Sequence, residues 1–221
     1  MTPIPATDKE IRRTPELEAA GLTDWRLLQR KIAARFALPD YDTGLALVAA
    51  IGAAAQAADH HPDLDLRWGQ LTVHLASHDV GGVTDRDLRL AQQISELAAD
   101  HGATADPAKV QMIEMALDSA DFDAVRPFWK AILGMGTSRA LPDELDDPRG
   151  DLPTLWFQET DAHPTPRQRF HFDVYVPYDL AEQRVADAVA AGGTLVSDDE
   201  APGFWILADA EGNRACVCAT I

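Results

Sequence analysis

The stretch His60-His61-Pro62-Asp63, with Leu71-Thr72-Val73-His74-Leu75-Ala76-Ser77-His78 and then Asp79-Val80-Gly81-Gly82-Val83-Thr84-Asp85-Arg86-Asp87 behind it, carries most of the legible chemistry of this 221-residue chain. Four of the seven histidines fall between positions 60 and 78. Imidazole is the side chain whose ordinary titration lies nearest neutrality, which suits it to proton transfer. Leu71, Val73 and Leu75 alternate with Thr72, His74 and Ala76, the pattern of a strand with one apolar and one polar face. On this reading His74 and His78 share the polar face. Asp79 to Gly82 form a glycine-rich turn, and Thr84 to Asp87 open a helix whose apolar positions are Leu88, Ala91, Ile94, Leu97 and Ala98. A blander reading places His60 and His61 at the carbonyl end of the preceding helix and leaves His74 and His78 solvated.

Upstream of the histidines, Asp40 is a candidate N-cap, and Leu45, Val48, Ile51 and Ala55 follow at helical spacing, which predicts a buried helix ending near Asp59. Trp25 to Phe36 alternates as the two strands of a hairpin, and Leu17 to Gly21 reads as a short helix closed by glycine. Residues 1–15 hold three prolines and no apolar period, so a flexible arm is expected there. Downstream, the helix is expected to stop near His101-Gly102, and the small, polar, proline-containing residues 104–109 read as a linker. These boundaries give one domain over 16–103 and a second over 110–221.

The second domain repeats one pattern. A strand over Val110 to Leu117, a helix over Phe122 to Leu133 and a strand over Leu155 to Gln158 are echoed by a strand over Phe170 to Val176 and a helix over Leu180 to Ala191. Strands at Thr194 to Val196, Phe204 to Leu207 and Ala215 to Ala219 complete a tandem βαβββ design. Pro127 is expected to kink the opening turns of the first helix. The fold class is therefore α+β in both domains, with helices on one face of an antiparallel sheet in the first.

Acidic residues outnumber basic ones by 36 to 19, for a net charge of −17, and no basic stripe is present to neutralise phosphates. Nucleic acid is excluded as a direct partner. The same charge is repelled by anionic membrane surfaces, and no apolar run approaches the roughly 20 residues of a spanning helix. Met1 to Pro5 has no secretory pattern. Cys216 and Cys218, the only cysteines, are read as facing opposite ways on a strand and so unpaired. A cytoplasmic location is the expectation.

The ordered combination of His60-His61-Pro62-Asp63, Trp68, His78 seventeen residues after His61, the glycine turn and Asp87 resembles the signature of the pterin-4a-carbinolamine dehydratase family. The likeness runs from about Leu17 to Asp100, through Trp25, Phe36, Pro39-Asp40-Tyr41 and the alanine-rich helix. Leu64 departs from it, since many relatives carry an aromatic there. The resemblance implies loss of water from a 4a-hydroxytetrahydropterin to give the quinonoid dihydropterin. Because hydroxide leaves poorly, an acid must protonate the 4a-oxygen while a base takes the N5 proton. It further implies His60 and His78 as the acid and base, His61 as an orienting residue and Asp87 as a supporting carboxylate. His61, Asp63, Trp68, Ser77 and Asp79 would contact the substrate. Asp87 also fits a capping box with Thr84, and both roles are compatible. A zinc site at His60, His61 and His78 is disfavoured, because adjacent histidines seldom point at one metal and the family uses none. Pterin is then the substrate and no cofactor is required. A pterin-dependent hydroxylase and a second copy of the chain are the expected partners.

Phe128-Trp129-x-x-Ile132-Leu133-Gly134 and Glu211-Gly212-Asn213, set in the tandem pattern, are similar to the glyoxalase/bleomycin-resistance (vicinal oxygen chelate) superfamily. Its metal-dependent members hold a divalent cation on four strand positions. Here Glu114, Gln158, His171 and Cys216 stand near those positions, a mixture of hard and soft donors that no common site prefers, so a metal is not expected. The alternatives to a dehydratase are a pterin-binding or dimerisation scaffold, and a lyase, dioxygenase or binding activity in the second domain.

Overall fold

A computed structural model describes residues 6–110, 112, 115–138, 141–162, 171–175 and 181–219. Two compact units separate, Met1–Met112 and Ile113–Ile221.

The first unit is built on β1 (Trp25–Leu28), β2 (Lys31–Ala37), β3 (Asp63–Arg67), β4 (Gln70–Leu75) and β5 (Thr104–Ala105), with helices α1 (Thr14–Ala19), α2 (Tyr41–Ala58) and α3 (Asp85–Asp100). The sheet runs β1-β2-β4-β3, antiparallel throughout, and β5 joins β2 beyond β1. Leu71, Val73 and Leu75 of β4 are buried with Ile32, Ala34 and Phe36 of β2 against Leu47 and Ile51 of α2 and Leu90 and Ile94 of α3. Each such side chain, removed from water, contributes about 1.5–3 kcal/mol. Asp40 caps α2 by accepting from the Thr43 amide at 2.7 Å, and the helix ends at Asp59 in the left-handed region.

Three expectations change here. The buried stripe of α2 is Gly44, Leu47, Ile51, Ala54 and Ala55, while Leu45 is 51% exposed. Alanine fits either side of a helix, so an alanine-rich sequence fixes the phase poorly. Residues expected as a linker contribute β5, whose Ala105 pairs with Phe36, followed by a turn at Pro107–Lys109. Residues from the expected arm are tied down: the Arg12 amide donates to the Val83 carbonyl, its guanidinium donates to Asp85 at 2.7 and 2.9 Å, and Arg89 holds Asp8. Charge partners 73 and 81 positions away are invisible to a local reading.

The second unit contains β6 (Met115–Ser119), α4 (Phe122–Leu133), β7 (Gly136–Thr137), β8 (Glu144–Asp146) and β9 (Leu155–Glu159), then β10 (Phe172–Tyr175), α5 (Ala181–Ala190), β11 (Thr194–Ser197), β12 (Phe204–Ala208) and β13 (Arg214–Cys218). The two sheets share one order, β6-β9-β8-β7 and β10-β13-β12-β11, each with its first and last strands parallel neighbours. Strands β7 and β8 escape the sequence because they are two and three residues long. Helix α4 continues through Pro127. Phe128, Trp129, Leu155, Phe157, Trp205, Leu207, Ala215 and Val217 form one core. The Trp129 indole donates to Asp209 at 2.9 Å, tying the first βαβββ module to the turn before β13. No helix among the described residues is long and apolar enough to cross a membrane.

Candidate functional site

Helix α2 ends in a left-handed Asp59, and the next residue, His60, is pulled inward: its amide donates to the Ala55 carbonyl and its side chain is buried. Ser77 follows β4 and closes the glycine turn, donating its amide to Gly82 while its own carbonyl accepts from Val80 and Gly81. Gly81 takes a φ of 68°, which glycine adopts without strain. Thr84 then caps α3, and Asp87 completes the capping box.

These three segments meet on the Asp87 carboxylate, which is fully buried. One oxygen lies 2.7 Å from His60 Nε2. The other accepts from the Ser77 hydroxyl at 2.7 Å and from the Thr84 amide at 2.7 Å. The Ser77 and Thr84 hydroxyls are 2.8 Å apart. With His60 as the donor in this contact, Nε2 carries the proton and Nδ1 is the nitrogen available to a ligand. Asp87 therefore caps the helix and orients the imidazole at once.

His78 is exposed and directly follows Ser77, so the turn that carries it is anchored to the same carboxylate. His61 is exposed, its Nε2 3.5 Å from Gln56 Oε1. Asp63 is exposed at the start of β3, in register with His74. His74 is half-buried, and burial, with Lys31 nearby, pushes its pKa below the ordinary imidazole range. Asp79 is bound by Arg86, which holds its carboxyl below the usual carboxylate value.

Trp68 is not brought to this cluster. It sits 83% exposed at the β3–β4 turn, stacked on Tyr41 at 6.4 Å between ring centroids. Five strand residues separate it from the Asp63 end of the hairpin, roughly 16 Å of chain. Thr84 is the member of the network that the sequence reading treated only as a cap. The Thr-x-x-Asp spacing was its signal.

In the second unit, Glu114 lies outside the described residues. Gln158 is exposed on β9, in register with Asp118. His171 and Cys216 do come together, but with Asp173, a residue the sequence reading passed over although it stands two positions after His171 on the same strand face. Asp173 faces Cys216 directly in the β10–β13 register, and its carboxylate is 3.4 Å from His171 Nε2. Burial and the neighbouring Asp173 push the Cys216 thiol up to about 11. The opposite-face reading of the two cysteines is corrected: residues two apart on a strand point the same way, and burial, with Asp173 nearby, raises the pKa of both thiols. Both are unpaired.

A family model described as pterin 4 alpha carbinolamine dehydratase matches residues 5–97, and one described as a glyoxalase-like domain matches residues 114–218. A Roseiflexus sp. (strain RS-1) protein, assigned by inference as a pterin-4-alpha-carbinolamine dehydratase, is 42% identical over 91 residues, covering 41% of this chain and 94% of its own length. A crystal structure of a transcriptional coactivator/pterin dehydratase from Brucella melitensis aligns with 40% of this chain and 99% of its own, at 27% identity and a TM-score of 0.38. A glyoxalase/bleomycin resistance protein/dioxygenase family enzyme from Burkholderia phytofirmans PsJN aligns with 49% of this chain and 97% of its own, at 17% identity and a TM-score of 0.40. The chain is thus a fusion of two α+β domains, the second similar to the glyoxalase-like domain model over residues 114–218. Through the first it belongs to the pterin-4a-carbinolamine dehydratase family.

Proposed function

We propose that the N-terminal domain dehydrates a 4a-hydroxytetrahydropterin to the quinonoid dihydropterin by histidine acid–base catalysis. The observation that carries this reading is the buried His60–Asp87 contact at 2.7 Å. With Nε2–H committed to Asp87, Nδ1 of His60 accepts the N5 proton, and the carboxylate stabilises the imidazolium that forms. His78, exposed to solvent, donates to the departing 4a-oxygen, and between turnovers His60 releases its proton to water while His78 takes one up. The C4a–O bond breaks, the C4a–N5 double bond forms, and one water leaves. His61 and Asp63, at the rim, orient the pterin by hydrogen bonds. Ser77 acts through Asp87, and Asp79 through Arg86 and the turn.

The test is to mix the full chain with freshly generated carbinolamine and follow quinonoid formation. The wild type should exceed buffer. His60→Ala and His78→Ala should each lose about 10²–10⁴-fold in turnover. A wild-type rate equal to buffer removes the assignment.

A further inference from the structure

The second domain contains one donor grouping that the pterin chemistry does not use. His171, Asp173 and Cys216 present an imidazole nitrogen, a carboxylate oxygen and a sulfur that all lie within 4.8 Å of one another. Among the described residues no other three His, Cys, Asp or Glu side chains form such a group. Two strands produce it. Asp173 of β10 and Cys216 of the parallel β13 are register partners, and His171, two residues before Asp173, falls on the same face of the chain.

The superfamily resemblance implied Glu114, Gln158, His171 and Cys216; the observed group keeps His171 and Cys216 of that set and adds the Asp173 carboxylate. Imidazole, carboxylate and thiolate together form a borderline-soft site that disfavours magnesium and calcium. Tetrahedral coordination at zinc-like bond lengths needs donors roughly 3.5 Å apart. The three donor atoms lie within 4.8 Å of one another, and His171 Nε2 is already 3.4 Å from the Asp173 carboxylate. Cys216 is 7% exposed, with Ile206 beside it on β12, so its sulfur is shielded on one side. His171 and Asp173 are mostly exposed and leave the site open to an arriving ion.

We propose that His171, Asp173 and Cys216 bind one divalent transition-metal ion of the zinc type, with a fourth position left to water or a small ligand. Without an ion the same three groups satisfy one another, with Asp173 between the imidazole and the thiol. Metal binding replaces those contacts with three metal–ligand bonds and expels the thiol proton to solvent.

The experiment uses the full chain, dialysed against chelator and titrated with cobalt(II). A thiolate ligand gives a near-ultraviolet sulfur-to-cobalt charge-transfer band that imidazole and carboxylate sites lack. The expected result is a band saturating at one cobalt per chain, reversed by zinc and not by magnesium. The band should be absent in Cys216→Ser. Affinity should fall at least about tenfold in Asp173→Asn and His171→Ala, both at surface positions that tolerate change. The absence of the band in the wild type overturns the proposal. So does its survival in Cys216→Ser, or cobalt affinity unchanged in both of the other variants. None of these readouts depends on carbinolamine turnover, so this proposal and the dehydratase reading stand or fall separately.

Discussion

In the N-terminal unit the central carboxylate, Asp87, is fully buried and both its oxygens are taken by His60, Ser77 and Thr84. In the C-terminal unit the central carboxylate, Asp173, stays mostly exposed between His171 and a buried Cys216. The first arrangement is fixed before any ligand arrives, because a buried charge is tolerable only when its acceptors are satisfied. The second is held loosely at the surface, and its donors remain free to turn toward something else. A preorganised carboxylate suits orientation of a catalytic imidazole, while an adaptable group of donors suits capture of an ion.

The largest effect expected from breaking this contrast is at Asp87. Replacing it with alanine strands His60, Ser77 and the Thr84 amide together, and removing one partner of a buried pair costs about 3–5 kcal/mol. Asp173→Ala, by comparison, should leave the urea midpoint nearly unchanged. A denaturant titration of both variants checks the pair.

Next in size is Gly193→Ala in the C-terminal unit. An added Cβ would lie 2.4 Å from Phe128 Cδ2 and 2.8 Å from the Ala188 carbonyl oxygen. Overpacking of this kind costs about 1–3 kcal/mol. The loss should appear in the melting of the second unit, read by Trp129 or Trp205 fluorescence, with carbinolamine turnover unaffected.

The smallest effect concerns His74. Its folded-state pKa is lowered, first by burial and then by Lys31. The unfolded chain therefore binds the proton more readily. Stability is complete above the ordinary histidine value and declines as pH falls through it. His74→Gln should flatten that acid-side decline. Urea midpoints of variant and wild type at about pH 8 and about pH 5 measure the difference, and an equal decline in both would remove this role.

Much of the fold was legible because its elements announce themselves locally. Asp40 and Thr84 mark two helix starts, and the alternation of Leu71, Val73 and Leu75 marks the central strand. The repeat of strand, helix and strands after residue 110 revealed the tandem modules. What escaped was set by partners distant in sequence. The phase of α2 depends on what packs against alanine. Strand β3, Asp63-Leu64-Asp65-Leu66-Arg67, alternates in period two, yet it was overlooked beside the histidine pair. At the site, His60 and Asp87 were named from pattern, but that Ser77 and Thr84 would share the carboxylate needs the turn at Gly81 to fold back. Asp173 was missed because its significance depends on Cys216, 43 residues later on a parallel neighbour.

The measurement that bears most directly on the first site is a double-mutant cycle in carbinolamine turnover with His60→Ala and Asp87→Asn. If Asp87 works by holding His60, Asp87→Asn should slow the wild type yet add little in the His60→Ala background, because the two act as a unit. An equal slowing in both backgrounds, or none in either, would contradict it.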